Sequence, residues 1–343
     1  MNASSSREWR PDVLGDGFEQ LTLDLGQDEE GTVVATLVRS VPPARSWVKR
    51  FFRQGIPSLS DVDVLYVHGW SDYFFQKRLA RVFTDRGARF YALDLRKCGR
   101  SLRDGQTYGY VADLKTYDED IAAAIEAITE PAADAPRGPR RLVLLGHSTG
   151  GLILSLWADR HPGAATALIL NSPWLEFQLP RQQRETIAPI VDLRARRRPL
   201  DRAPQVDLGF YARAQREAED PDDLAEINLD WRPEQSMPIH AGWLHAILEG
   251  HARVADGLSI DAPVCVLLSA RSASPLRWSE ELTRTDSVLV VDDIARAALN
   301  LGPVVTIVRI DGALHDVFLS RHDAREVAYW RLGRWIDTEL GTR

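Results

Sequence analysis

Cysteine is almost missing from this chain: 343 residues contain two, Cys98 and Cys265. Each falls in or beside an expected strand, which argues against a disulfide framework and for a reducing, cytoplasmic setting. Long apolar runs are missing too; none approaches the roughly 20 residues of a membrane span. The opening stretch Met1-Asn-Ala-Ser-Ser-Ser-Arg7 lacks the apolar segment of a secretory signal. There is no excess of positive charge. The formal net charge is −7, which favours solubility and argues against a nucleic-acid partner. His240, His245 and His251 match no familiar zinc spacing, so no metal is expected. Internal repeats and low-complexity tracts are also lacking.

What is present reads as an ordinary soluble protein, 44% apolar and 27% charged, and long enough to bury a large core. Strands alternate with helices along it. Phe18–Leu25 and Thr32–Ser40 read as an opening hairpin, and Asp63–His68 as a strand. Phe74–Arg86 has helical periodicity, and Gly87–Asp94 returns as a strand. Ala112–Thr129 is an acidic helix, followed by a Pro/Ala-rich connection at Ala132–Pro139. Leu142–Leu145, Ala165–Asn171, Pro263–Ser269 and Val304–Ile310 carry the signal of buried strands. Such alternation implies βαβ units and a mainly parallel sheet with ligands at the strands' C-terminal ends.

Between Pro173 and about Ile260 the alternation breaks. The stretch is rich in Pro, Arg, Asp and Trp and shows no buried strand. A long excursion from the ligand face reads as a lid rather than a structureless loop. The expected division is a core at 1–172, a lid at 173–260 and the rest of the core at 261–343. Most apolar lid residues should form the lid's own small core. Trp243 above all, with Trp174 and the core's Trp70, is expected to line an apolar pocket. The run Arg194-Ala-Arg-Arg-Arg198 reads as a solvated, charged surface, with contact to an anionic head group such as phosphate as the alternative.

The chemistry centres on Arg141-Leu-Val-Leu-Leu-Gly-His-Ser-Thr-Gly-Gly151. A short apolar strand runs straight into Gly-x-Ser-x-Gly, and a helical pattern follows, the context of a nucleophile elbow. The turn must expose the Ser148 hydroxyl, and side chains two residues to either side would crowd it, so both positions are glycine. A serine hydroxyl needs a base, an acid and an oxyanion hole. The base is His315, just past the last strand in Gly312-Ala-Leu-His315. The acid should follow the penultimate strand. Glu280, Glu281, Asp286, Asp292 and Asp293 are in range. Asp292 and Asp293 open a helical pattern and Glu280 and Glu281 look solvated, which leaves Asp286, with Asp292 as the alternative. The Thr149 amide is one oxyanion donor. The other is the Trp70 amide in Tyr66-Val-His-Gly-Trp70, where Gly69 permits close backbone approach.

His68-Gly-Trp, Tyr91-Ala-Leu-Asp-Leu-Arg-Lys-Cys-Gly-Arg-Ser101, Gly146-His-Ser-Thr-Gly-Gly151 and Gly312-Ala-Leu-His315 together resemble the α/β-hydrolase fold. The chain is similar to its monoacylglycerol lipase and lysophospholipase-like branch of serine hydrolases. That resemblance implies a largely parallel eight-stranded sheet flanked by helices, with a helical cap inserted after the sixth strand. It also implies ester hydrolysis through an acyl-enzyme without a cofactor. Ser148 would be the nucleophile, His315 the base, Asp286 the acid, and the Trp70 and Thr149 amides the oxyanion donors. Two features depart from the pattern: the family's usual Asp-Xaa-Gly-His-Gly-Xaa-Ser stretch reads Asp94-Leu-Arg-Lys-Cys-Gly-Arg-Ser101 here, and the acid loop is longer. The expected substrate is a small-molecule acyl ester of short to medium chain, monoacylglycerol- or lysophospholipid-like. The same triad serves thioesterases, amidases and peptidases, and the same fold serves non-catalytic ligand-binding proteins.

Overall fold

A computed structural model describes residues 8–41, 58–130, 140–177, 189, 191–218 and 227–341. Nine strands lie among them: β1 (Arg10–Pro11), β2 (Phe18–Asp28), β3 (Gly31–Ser40), β4 (Val62–Val67), β5 (Arg89–Asp94), β6 (Arg141–His147), β7 (Ala167–Asn171), β8 (Val264–Ser269) and β9 (Val305–Ile310), the central ones apolar and rich in β-branched residues. They make one sheet in the order β1-β2-β3-β5-β4-β6-β7-β8-β9. The three pairings from β1 to β5 are antiparallel, and every pairing from β5 through β9 is parallel. Strands β2 to β9 are the eight expected. The ninth is β1, where Arg10 and Pro11 sit opposite Gln20 and Glu19. Two residues, one of them proline, leave no periodicity to read.

The helices that accompany the sheet include α1 (Lys77–Thr84), α2 (Tyr117–Thr129), α3 (Thr149–Arg160), α4 (Phe210–Ala218), α5 (Ala241–Asp256), α6 (Val291–Ala298) and α7 (His322–Glu339). Two hydrophobic clusters cover the two faces, one built with α2, α3, α5 and α6 and the other with α1 and α7. Consequently β4, β7 and β8 are buried along their whole length, as a sheet with both faces covered requires. The helical pattern at Phe74–Arg86 is realised only from Lys77; before it, the Phe74 amide donates to Asp94 Oδ1 at 3.0 Å and ties the segment to the end of β5. The connection Ala132–Pro139 lies outside the described residues.

The cationic stretch after β5 has a physical account: each cation meets a carboxylate. Arg96 pairs with Asp120 at 2.6 Å, Lys97 with Asp28 and Glu30 at 2.6 Å, and Arg100 with Asp12 at 2.7 Å and Asp94 at 2.8 Å. These pairs tie the loop to β2, α2 and the N-terminal segment. Between β7 and β8 the chain makes its long excursion, which contributes helices, α4 and α5 among them, and, among the described residues, no strand of the sheet. Helix α5 packs on α3, close enough that a Cβ on Gly250 would meet Leu156 at 3.1 Å. Among the described residues no helix is long and apolar enough to cross a membrane.

Candidate active site

Strand β6 ends at His147 and α3 begins at Thr149, so the reversal falls on Ser148 alone, at φ 49° and ψ −115°. A non-glycine residue adopts this strained conformation only when its surroundings over-determine it. Here the Ser148 amide donates to the Asn171 carbonyl at 3.0 Å, and its carbonyl accepts from the Trp174 amide at 2.9 Å and the Gly151 amide at 3.0 Å. Both flanking glycines are obligatory. A Cβ on Gly146 would lie 2.7 Å from Gly151 Cα, and one on Gly150 would overlap the Val67 and His68 carbonyl oxygens.

His315 Nδ1 lies 2.9 Å from Asp286 Oδ2, with both side chains buried. The ring's other nitrogen, Nε2, is buried and has no hydrogen-bond partner among the described residues. The acid loop is long, yet it returns to the end of β8: the Asp286 amide donates to the Arg271 carbonyl at 3.0 Å, and the Asp286 carbonyl accepts from the Ala273 amide at 2.9 Å. Asp292 goes elsewhere. It lies in the first turn of α6 with a side chain 68% exposed, 2.7 Å from Arg309. Asp293 shares that turn, and Glu280 and Glu281 are exposed.

As the first residue of α3, Thr149 has an amide with no acceptor inside the helix. At the end of β4, a Cβ on Gly69 would lie 3.1 Å from Ser148 Cβ, so the Gly69–Trp70 peptide runs directly against the serine. His68 orients that peptide. Its Nε2 accepts from the Leu95 amide at 3.1 Å, which places the ring proton on Nδ1 to donate to the Gly69 carbonyl at 2.7 Å. In a trans peptide the N–H points opposite the carbonyl, so His68 also sets the direction of the Trp70 N–H. This role was not read from the sequence, where His-Gly at a strand end looks like any tight turn.

Ser148, Thr149, Gly69 and His315 line one cavity of about 480 Å³. Trp70 and Trp174 line it as well. Trp243 does not: it is 1% exposed and fills the core behind them, its ring centroid 3.9 Å from that of Trp70 and 6.1 Å from that of Trp174. Near the start of α5 its ring is turned into the helix-to-sheet core, and the two neighbouring rings take the cavity wall. The excursion supplies lining residues that no spacing announced, among them Tyr211, Gln215 and Arg232. Tyr211 stands edge-on to His315, centroids 5.8 Å apart. His147 is also on the wall, its ring 5.0 Å from that of His315, with Nδ1 3.1 Å from the Asn171 carbonyl. Burial holds the His147 pKa below the ordinary histidine value, against the opposing pull of Asp316. Arg194 and Arg196 face solvent beside Asp201 and Asp192.

A model of the family described as serine aminopeptidase, S33, matches residues 60–272. The monoacylglycerol lipase of Mycolicibacterium smegmatis is 33% identical over 111 residues, covering 32% of this chain and 37% of that protein. Lysophospholipase L2 of Escherichia coli K12 is 36% identical over 78 residues, 22% of this chain and 21% of that protein. The aligned stretch is thus less than half of either relative. Among solved structures, the monoacylglycerol lipase of Paleococcus ferrophilus superposes with a TM-score of 0.61 at 18% identity, covering 83% of this chain and 97% of that one. A soluble variant of the monoglyceride lipase of Saccharomyces cerevisiae, in complex with a substrate analogue, gives 0.61 at 14% identity over 99% of both chains. These structures share the fold, and the family model spans β4 to β8; the chain belongs to the serine aminopeptidase S33 family of α/β hydrolases.

Proposed function

We propose that this chain is a serine carboxylic-ester hydrolase for short- to medium-chain acyl esters of the monoacylglycerol or lysophospholipid kind. The observation that carries the reading is the shared cavity. A serine on a strained elbow and a histidine whose Nδ1 is held by a buried carboxylate open onto the same space. Its volume, about 480 Å³, falls in the range of small-molecule sites. Residues 173–260 would act as a lid, since Tyr211, Gln215 and Arg232 close the cavity from that side. The two cysteines are both unpaired and buried, which supports a cytoplasmic location.

In this mechanism His315 Nε2 takes the proton from Ser148 Oγ as the oxygen attacks the ester carbonyl. Asp286 holds the imidazole in the required tautomer and stabilises the imidazolium. The Thr149 and Trp70 amides bind the oxyanion. The alcohol departs with the proton from His315, leaving an acyl-serine. Water then gives its proton to His315 and attacks the acyl carbon, and the carboxylic acid leaves as Ser148 is reprotonated.

Labelling with a fluorophosphonate, wild type beside Ser148→Ala, followed by 4-nitrophenyl esters of increasing chain length and an aminoacyl arylamide, tests the proposal. Labelling that disappears with Ser148 and turnover of short to medium esters is the expected result. An unlabelled but folded wild type would overturn it. Labelling with turnover of the arylamide alone would move the substrate to peptides.

A further inference from the structure

The loop that carries the Trp70 amide has no helix or strand of its own between the end of β4 and the start of α1. Ser71 sits at φ 54°, a conformation an L residue does not hold unaided. The segment 228–237 of the excursion grips this loop residue by residue. Trp70 Nε1 donates to the Met237 carbonyl at 3.2 Å, and Ser71 Oγ accepts from the Met237 amide at 3.0 Å. Asp72 Oδ1 accepts from Arg232 Nε at 2.8 Å, and Tyr73 Oη accepts from the Asn228 amide at 2.7 Å. The ring of Trp231 meets that of Tyr73 edge-on, centroids 5.2 Å apart.

We infer that residues 228–237 form a strap that sets the oxyanion-hole loop, with Arg232, acting through Asp72, as a positioning residue for the Trp70 amide. The inference rests on the oxyanion role proposed for that amide. The strongest bond in the set is the ion pair: the Asp72 and Arg232 side chains are 5% and 13% exposed, so each charge depends on the other. The guanidinium is engaged on a second side, where Nη2 donates to Gln215 Oε1 at 2.8 Å. Gln215 Nε2 in turn donates to Tyr211 Oη at 2.9 Å, and that hydroxyl accepts from the Asp316 amide, next to His315, at 3.0 Å. One arginine from the excursion thereby connects the oxyanion loop to the histidine loop. A guanidinium engaged on both sides is built to hold a frame, and the planar fork is what lysine cannot reproduce.

The test uses Arg232→Met and Arg232→Lys in the full chain, with circular dichroism as the check on folding. Two esters of one acyl chain are compared, a 4-nitrophenyl ester and a glycerol ester, together with inhibition by a trifluoromethyl ketone of that chain. The ketone adds Ser148 Oγ to its carbonyl and places an oxyanion in the hole. A displaced donor lowers kcat by roughly 10- to 100-fold for both esters, with KM changed by less than about threefold, and weakens the ketone in parallel. Arg232→Lys falls between wild type and Arg232→Met, and it carries the test alone if the methionine variant does not fold. A loss confined to the glycerol ester would make Arg232 a substrate contact and overturn the inference, as would a fall in kcat with unchanged ketone affinity. A wild type without ester turnover removes the oxyanion reading itself and the strap with it.

Discussion

His315 and Asp286 form a buried pair in which each partner fixes the other. Asp286 Oδ2 lies 2.9 Å from His315 Nδ1, while Oδ1 accepts from the Val288 amide at 2.7 Å and the Leu289 amide at 2.8 Å. The carboxylate cannot rotate without breaking two backbone bonds, so the ring it holds is fixed in plane and in tautomer. Asp286→Asn is expected to lower kcat about 10³- to 10⁴-fold, the scale set by the same change in a serine protease, with the fold retained. Asp292→Asn is expected to leave kcat within about twofold, as an exposed residue away from the pair. Steady-state rates on one short ester decide between them; an equal loss in both variants would contradict the assignment.

The bond from His68 to the Gly69 carbonyl makes a separate prediction. His68→Ala frees the peptide that carries the Trp70 amide, and kcat should fall about 10- to 100-fold, short of deleting an oxyanion donor outright. KM should change little, because the ring does not line the cavity. An increase in KM with unchanged kcat is the result that removes His68 from this role.

Trp243 and Trp174 should separate cleanly. Trp243→Ala removes a fully buried indole from the core and is expected to cost about 3–5 kcal/mol in urea unfolding. Trp174→Ala opens the wall of the cavity instead and should shift the chain-length optimum toward longer acyl groups. If Trp243→Ala lengthens the preferred chain at unchanged stability, its ring belongs to the pocket after all.

His147 gives a pH dependence with a definite sign. Burial lowers its folded pKa below the unfolded value of about 6.5, so the unfolded chain binds the proton more readily than the native one. The resulting stability is present above about pH 6.5 and is lost as the pH falls through that range. Urea midpoints for wild type and His147→Gln, compared at about pH 7.5 and pH 5.5, should show the wild-type advantage shrinking in acid. An advantage that grew on acidification would reverse the sign and place a charged imidazole in the native site.

The elbow was legible because its determinants are local. Gly146, Ser148 and Gly150 bracket one turn, and a Cβ at either glycine would strike backbone at 2.7 Å or less. Buried strands announced themselves through continuous apolar runs, and His315 by its place just after the last of them. Asp286 was harder. It is separated from the end of β8 by an irregular loop and is recovered by a short bridge between Ser272 and Asp286. The strand β1 and the excursion's polar wall residues left no signal. Two residues have no period, and Tyr211, Gln215 and Arg232 reach the cavity from a segment without a repeating pattern.

By itself the sequence determined the alternation of strands and helices, the elbow that carries Ser148, the proposed nucleophile, and the position of the histidine proposed to serve it. Each depends on residues within a few positions of one another, where backbone sterics and apolar periodicity act directly. Tertiary structure alone decided that Asp286 rather than Asp292 holds His315, and that Trp243 belongs to the core while Trp174 faces the cavity. It also decided that residues 228–237 clasp the loop after β4. Those choices are pairings between segments far apart in the chain. They are settled by which surfaces meet once the sheet is assembled, and no local spacing encodes that meeting.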